Sequence, residues 1–345
     1  MAPQYRKGSA MTLSEYTLND FDYELPEELI AQEPAVPRDH ARLLVYDRST
    51  GTVSDDYFYN LGDYLPSGTT LVANNSRVDK CRYLFHDGAM EIFVVKASDG
   101  HTVEALVRPG KKFRTGMTVS LPDGLTAEVL SISEEGIRTL KLSHPYDHPV
   151  LEPYRVTPFP PYIAQNEELS EEYQTVYARD AGSKAAPTAG LHFTDSLIRK
   201  LTESGISWQE VTLHVGLGTF APVKSEKIEE HVMHSEWYRL DAETAERLNK
   251  ASHITAVGTT SVRVLESASS SGRFSACSGE TDIFIRPGYR FRSVDALITN
   301  FHLPKSTLLM LVAAHMGYEE SRMAYEHAIR ERYRFYSFGD AMLIL

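Results

Sequence analysis

Short apolar runs alternate with amphipathic stretches through the second half of the chain. Thr194 fits an N-cap for a helix over residues 195–204, and Gly205 fits its C′ position. Apolar runs predict strands over 206–215, 254–257 and 294–301. Helical spacing predicts helices over 241–251, 261–270, 306–316 and 319–333. Strands that alternate with helices imply βα units and a mostly parallel sheet. Earlier in the chain, Arg42–Asp47 and residues 70–73 read as short strands, and residues 171–177 as the start of a helix or a turn. Between residues 82 and 142 the pattern changes to short alternating runs rich in Val, Ile, Phe and Thr. Turn signals fall there at Asp87-Gly88, Asp99-Gly100, Pro109-Gly110, Thr115-Gly116 and Asp123-Gly124, and Glu134-Glu135-Gly136 marks a further hairpin. Such spacing predicts a small antiparallel β-barrel. Residues 144–161 are proline-rich and carry Tyr146, Tyr154 and Phe159, as an aromatic-anchored connector would. The expected fold class is α/β. A larger domain with a mostly parallel sheet, residues 21–78 and 151–345, is interrupted by an inserted β-barrel over 79–150 and preceded by an extension over 1–20.

Composition agrees with two domains in 345 residues and supplies enough apolar side chains for a buried core. No apolar run approaches the roughly 18 residues of a membrane span. The first residues are polar and lack the apolar core of a secretory signal. Cys81 and Cys277 lie far apart without metal-type spacing, so a reduced, cytoplasmic protein is expected. A net charge of −12 argues against non-specific nucleic-acid binding, which draws its affinity from neutralised phosphates. Two local basic clusters remain: Arg108, Lys111, Lys112 and Arg114, and Arg286, Arg290 and Arg292. Each, taken alone, reads as a solvated turn.

Candidate chemistry gathers in turns of small residues. The run Ala185-Ala186-Pro187-Thr188-Ala189-Gly190-Leu191-His192-Phe193 has neither the branched residues of a core strand nor the charge of a surface loop. It suggests backbone held close to a ligand. Gly216 and Gly218 follow one predicted strand, and Gly258 follows another. Glycine permits close approach, and ligands of open α/β sheets lie beyond the carboxyl ends of the strands. Thr259, Thr260 and Ser261 place hydroxyls at a helix start, with Arg263 one turn on. His192, His214 and His302 each sit in such a turn, and histidine suits proton transfer near neutral pH. His231, His234 and Glu236 could form a metal cluster, but the zinc-helix pattern is absent and no metal is expected. Neither a nucleophile elbow nor a P-loop is present, so hydrolase and NTPase chemistry have no support. A methyltransferase would explain Gly216-x-Gly218 but not the run that ends in His192.

The ordered set of motifs resembles the S-adenosylmethionine:tRNA ribosyltransferase-isomerase family of queuosine biosynthesis. It runs from Phe21-Asp22-Tyr23-Glu24-Leu25-Pro26 and Asn74-Asn75-Ser76-Arg77-Val78, through Tyr173-Gln174-Thr175-Val176-Tyr177 and Ala186-Pro187-Thr188-Ala189-Gly190-Leu191-His192-Phe193, to His214-Val215-Gly216-x-Gly218-Thr219-Phe220. His234-Ser235-Glu236, Val257-Gly258-Thr259-Thr260-Ser261-Val262-Arg263, Thr299-Asn300-Phe301-His302-Leu303-Pro304 and Gly339-Asp340-Ala341-Met342 complete it. The chain departs at Asp79-Lys80-Cys81-Arg82-Tyr83, where the family carries an Ile-Pro-Ala-Arg-Leu type run. The resemblance implies transfer and isomerisation of the ribosyl moiety of S-adenosylmethionine onto a 7-aminomethyl-7-deazaguanine base at the wobble position of tRNA. Epoxyqueuosine-tRNA forms, and adenine and methionine leave. S-adenosylmethionine would be a co-substrate, with no permanently bound cofactor, and the expected state is a monomer. On this resemblance His192, His214, Glu236 and His302 are expected to be catalytic. Thr188, Gly190, Gly216, Gly218, Thr219, Thr259, Thr260 and Asn300 would hold the donor, and Asn75, Arg77 and Arg263 the tRNA substrate.

Overall fold

The computed structural model describes residues 16–216, 218, 223, 225–270 and 272–345. Thr219 and residues 1–15 of the expected extension lie outside the described residues. Contacts divide the chain into two units. Unit 1 comprises Met1–Asn75, Pro187–Leu213 and Gly218–Leu345, and unit 2 comprises Ser76–Ala186 and His214–Leu217.

Unit 1 is built on a nine-stranded sheet. Its order is Cys277–Thr281, Glu236–Leu240, Ser207–Leu213, Thr69–Asn74, His253–Val257, Ala296–Asn300, Ala341–Ile344, Arg42–Asp47 and Thr52–Tyr57. The sequence pattern predicts a mostly parallel sheet; the observed sheet is mixed. Ser207–Leu213, Thr69–Asn74, His253–Val257 and Ala296–Asn300 run parallel at its centre. Glu236–Leu240 and Cys277–Thr281 add an antiparallel edge. Ala341–Ile344 is antiparallel to Ala296–Asn300 and parallel to Arg42–Asp47. The reversal has a simple cause. One crossover helix returns a chain parallel, but two helices, Thr307–Met316 and Tyr318–Arg330, separate these strands and turn it once more. Thr69–Asn74, Ala296–Asn300 and Ala341–Ile344 are buried at every position, as strands covered on both faces must be.

The helices start where their caps dictate. Thr194 Oγ1 accepts from Leu197 N at 3.1 Å and opens Asp195–Glu203. Asp241 Oδ1 accepts from Thr244 N at 2.7 Å, and Ser306 Oγ from Leu309 N at 3.2 Å. Thr259–Ala268 begins two residues before the predicted 261, because Gly258 at φ +86° makes the turn out of the strand.

Unit 2 holds a seven-stranded antiparallel sheet ordered Arg155–Val156, Arg82–Phe85, Met90–Ala97, Thr102–Arg108, Arg138–Leu142, Thr126–Ile132 and Thr118–Ser120. Phe85, Ile92, Val103, Phe113, Val129 and Leu140 fill its core. Among the described residues no ladder joins the first and last of these strands. Arg155–Val156 comes from the proline-rich segment, which therefore contributes a strand as well as a connection. Residues 171–177 form turns rather than a helix. From them Gln174 reaches Val78, accepting from its N–H and donating to its carbonyl, each at 3.0 Å. Ser76–Val78 also pairs in parallel with Asp180–Ser183.

Candidate active site

Because the four central strands of unit 1 are parallel, their carboxyl ends share one edge of the sheet. Asn75, Leu213, Gly258 and Asn300 mark that edge. The run singled out in the sequence folds as a short 3-10 turn, Thr188–His192, with Ala189, Gly190, Leu191 and His192 buried. It lies across two of these strand ends. At one, a Cβ built on Gly258 would meet the Ala189 methyl at 3.5 Å. At the other, His192 Nε2 lies 3.2 Å from Asn300 Nδ2. Asn300 Nδ2 donates as well to the carbonyl of Tyr336, at 3.0 Å. Tyr336 has φ +72°, a left-handed conformation that costs a bulky residue energy and so marks a constrained site. Asn300 Oδ1 is buried with no hydrogen-bond partner among the described residues.

Both histidines of this edge are held neutral. Burial pushes His192 down to about 3, helped by the charges of Arg334 and Arg38. Since the Asn300 amide donates, His192 Nε2 accepts and its proton sits on Nδ1. The ring packs against Phe58, with centroids 5.1 Å apart, and borders a narrow cleft with Pro34, Arg38 and Phe338. His302 is also lowered to about 3 by burial. Its Nε2 lies 2.7 Å from Thr299 Oγ1, its N–H donates to Tyr325 Oη at 3.0 Å, and its carbonyl accepts from Tyr23 Oη. Tyr23 belongs to the Phe21–Pro26 motif, and Lys305 of the His302 loop pairs with Asp22 at 2.8 Å. Two motifs from opposite ends of the chain thus lock together, with Tyr23 and His302 separated by 279 positions.

Other candidates of unit 1 are engaged within the protein. Glu236 and Arg263 form a buried ion pair through Oε2 and Nη1, and Arg263 Nη2 donates to the Thr281 carbonyl at 3.2 Å. Asn75 donates to Glu210 Oε2 at 3.2 Å and accepts from Thr212 Oγ1 at 2.9 Å. Beside it, Asn74 bonds both the N–H and the carbonyl of Leu213 at 3.0 Å, so the asparagine pair clasps the ends of two strands. Thr259 is buried, Thr188 half-buried, and Thr260 Oγ1 is buried without a partner among the described residues. A Cβ on Gly218 would stand 2.3 Å from His234 Cδ2, so the backbone and that ring are in close contact.

Unit 2 carries His214, Gly216 and Arg77. The His214 ring lies flat over Gly182, where a Cβ would come within 3.1 Å of both Cε1 and Nε2. Gly182 has φ +135°, so both its conformation and the ring above it call for glycine. Ser183 ties the neighbouring chain: its hydroxyl donates to the Ala185 carbonyl at 2.7 Å and accepts from Val215 N at 3.0 Å. Gly216 and Arg77 are half-buried, and Arg77 pairs with Glu171 at 3.4 Å. Among the described residues no group of three side chains could hold a metal ion, and no helix is long and apolar enough to cross a membrane.

Residues 18–344 match the model of the family described as queuosine biosynthesis protein. The chain belongs to that family. Similar members include the S-adenosylmethionine:tRNA ribosyltransferase-isomerases of Carboxydothermus hydrogenoformans, at 51% identity, and of Desulfitobacterium hafniense, at 47%. Each comparison covers 95% of this chain and 99% of the relative. The crystal structure of S-adenosylmethionine tRNA ribosyltransferase from Thermotoga maritima is 39% identical and has a TM-score of 0.55. It matches over 94% of this chain and 100% of that one. The resemblance read from the motifs therefore holds across the queuosine family. Sequence reasoning missed Tyr336 and Gly182. A bulky residue gives no sign of a positive φ, and Gly182 is one glycine in a polar segment whose partner ring lies 32 positions on by number.

Proposed function

We propose that this chain transfers the ribosyl moiety of S-adenosylmethionine to a 7-aminomethyl-7-deazaguanine base at the wobble position of tRNA and isomerises it, giving epoxyqueuosine-tRNA with release of adenine and methionine. One observation carries the reading: 47–51% identity, held over nearly the full chain, to proteins named for this transfer and isomerisation. The chemistry demands a base for the C5′–H that the sulfonium acidifies, a proton for departing adenine and a neutral attacking amine. We assign proton handling to His192, His214 and His302. The neutral state of His192 and His302 supports this, because an uncharged imidazole does not repel a sulfonium cation. Glu236 supplies negative charge, tempered by Arg263. Donor-holding groups are Thr188, Gly190, Gly216, Gly218, Thr219, Thr259, Thr260 and Asn300. The unpartnered Thr260 hydroxyl and Asn300 Oδ1 favour polar contact there. Arg77 is the cation proposed for tRNA, while Asn75 supports the site through its strand clasp. The reading extends to an enzyme that acts as a monomer with S-adenosylmethionine as co-substrate.

The test is adenine release from S-adenosylmethionine, measured with and without tRNA bearing the aminomethyl base. Release that requires this tRNA is expected. Release without it, or S-adenosylhomocysteine in place of adenine, overturns the reading. His192→Ala should abolish turnover while retaining a cooperative unfolding transition; wild-type turnover would remove His192 from the chemistry.

A further inference from the structure

Unit 2 carries charge that the proposed reaction does not use. In a chain of net charge −12, Arg108, Lys111, Lys112 and Arg114 fall within residues 108–114. Gly110–Lys112 forms a 3-10 turn, and Phe113, wholly buried in the core of the sheet, pins it. With Phe113 pointing inward, Lys112 and Arg114 on either side are exposed, as is Lys111. Arg138 joins them, since a Cβ on Gly110 would stand 2.9 Å from its Nη2. Arg108 shares Glu91 with Arg82, at 3.0 and 3.1 Å. Among the described residues the side chains of Lys111, Lys112 and Arg114 have neither ion pair nor hydrogen bond.

A rigidly anchored turn that leaves cations unpaired creates a local positive potential on an otherwise acidic surface. Such a potential attracts a polyanion to one place and leaves the remaining surface to repel it. We propose that this turn is a docking point for the phosphate backbone of the tRNA, an inference that rests on tRNA being the substrate. It orients the RNA without reading its sequence, because lysine and arginine bind phosphates through charge. The anchor makes the arrangement specific: Phe113 fixes where the cations point, so binding need not order a flexible loop.

The test reverses the charges in Lys111→Glu/Lys112→Glu, with Arg199→Glu/Lys200→Glu, exposed on the helix Asp195–Glu203, as a control for net charge. The KM for tRNA bearing the aminomethyl base should rise about tenfold or more, with kcat at saturating tRNA and the KM for S-adenosylmethionine unchanged. Binding of the unmodified transcript should weaken, and its slope against log salt should fall by about one for each phosphate that is no longer neutralised. An unchanged tRNA KM with an unchanged salt slope overturns the docking point, as does equal weakening in the control pair. So does loss of binding to an acidic peptide while tRNA binding persists. A wild-type chain that binds tRNA through these cations without releasing adenine would sink the reaction and keep the surface. A wild-type chain that binds no tRNA overturns both.

Discussion

At the scale of single residues, several polar groups of the candidate site hold protein partners before any ligand arrives. The Glu236–Arg263 pair shows what this costs. Both side chains are nearly inaccessible, at 3% and 6% exposed. Removing one partner of a buried pair strands the other charge, which typically costs about 3–5 kcal/mol, whereas removing both is far milder. Glu236→Gln and Arg263→Met should each lower the unfolding free energy by about that amount, and the double variant by clearly less than the sum. Urea denaturation of the four proteins checks it; additive losses would mean that the pair is not coupled. Glu236 and Arg263 were legible as candidates in the sequence, through the motifs that carry them. Their pairing was not. Glu236 and Arg263 are 27 positions apart, and nothing local to either says that the other closes on it.

At the scale of elements, the helices were read well and several strands were not. Thr194, Asp241 and Ser306 are capping residues, and capping is a local event, so their helices begin where the sequence indicates. Glu236–Leu240 and Cys277–Thr281 lie toward the sheet edge, carry polar and half-exposed positions, and lack the apolar run that marked the central strands. Ala341–Ile344 is apolar but only four residues long. Its importance comes from its place, with Leu343 paired to Val45 on one side and Ile298 on the other. Leu343 is fully buried, so Leu343→Ala should cost about 2–5 kcal/mol. Met323→Ala, partly exposed on a helix, should stay within about 0.5 kcal/mol. Similar losses for the two substitutions, measured by denaturation, would refute the central role of this strand.

For the whole molecule, buried histidines link stability to pH. His192, His302 and His315 are each lowered to about 3, with burial the leading cause, against an ordinary value of 6.5. The unfolded chain therefore binds protons more readily than the folded one between these values. Their contribution is fully present above pH 6.5 and is lost as pH falls toward 3. Each ring should cost about 2 kcal/mol between pH 6.5 and pH 5. The urea midpoint should drop over that range, and His315→Phe, at a ring packed edge-on against Phe291, should flatten the drop by one ring's share. A midpoint unchanged between pH 7 and pH 5 would contradict the burial of these rings.

The strand Ala341–Ile344 also sets a schedule for biosynthesis. Arg42 N donates to Asp340 Oδ1 across 298 positions, and the strand that Arg42 opens lies beside the one that Asp340 precedes. While the polypeptide is still being made, Arg42–Asp47 has its hairpin partner Thr52–Tyr57 on one flank and open backbone on the other. The sheet can close between Ala296–Asn300 and Arg42–Asp47 only once residue 344 has cleared the ribosomal tunnel. Nascent chains stalled before residue 341 should be digested by protease within unit 1, and released chains should resist. The cell must therefore shield an unfinished sheet edge until residue 344 has emerged.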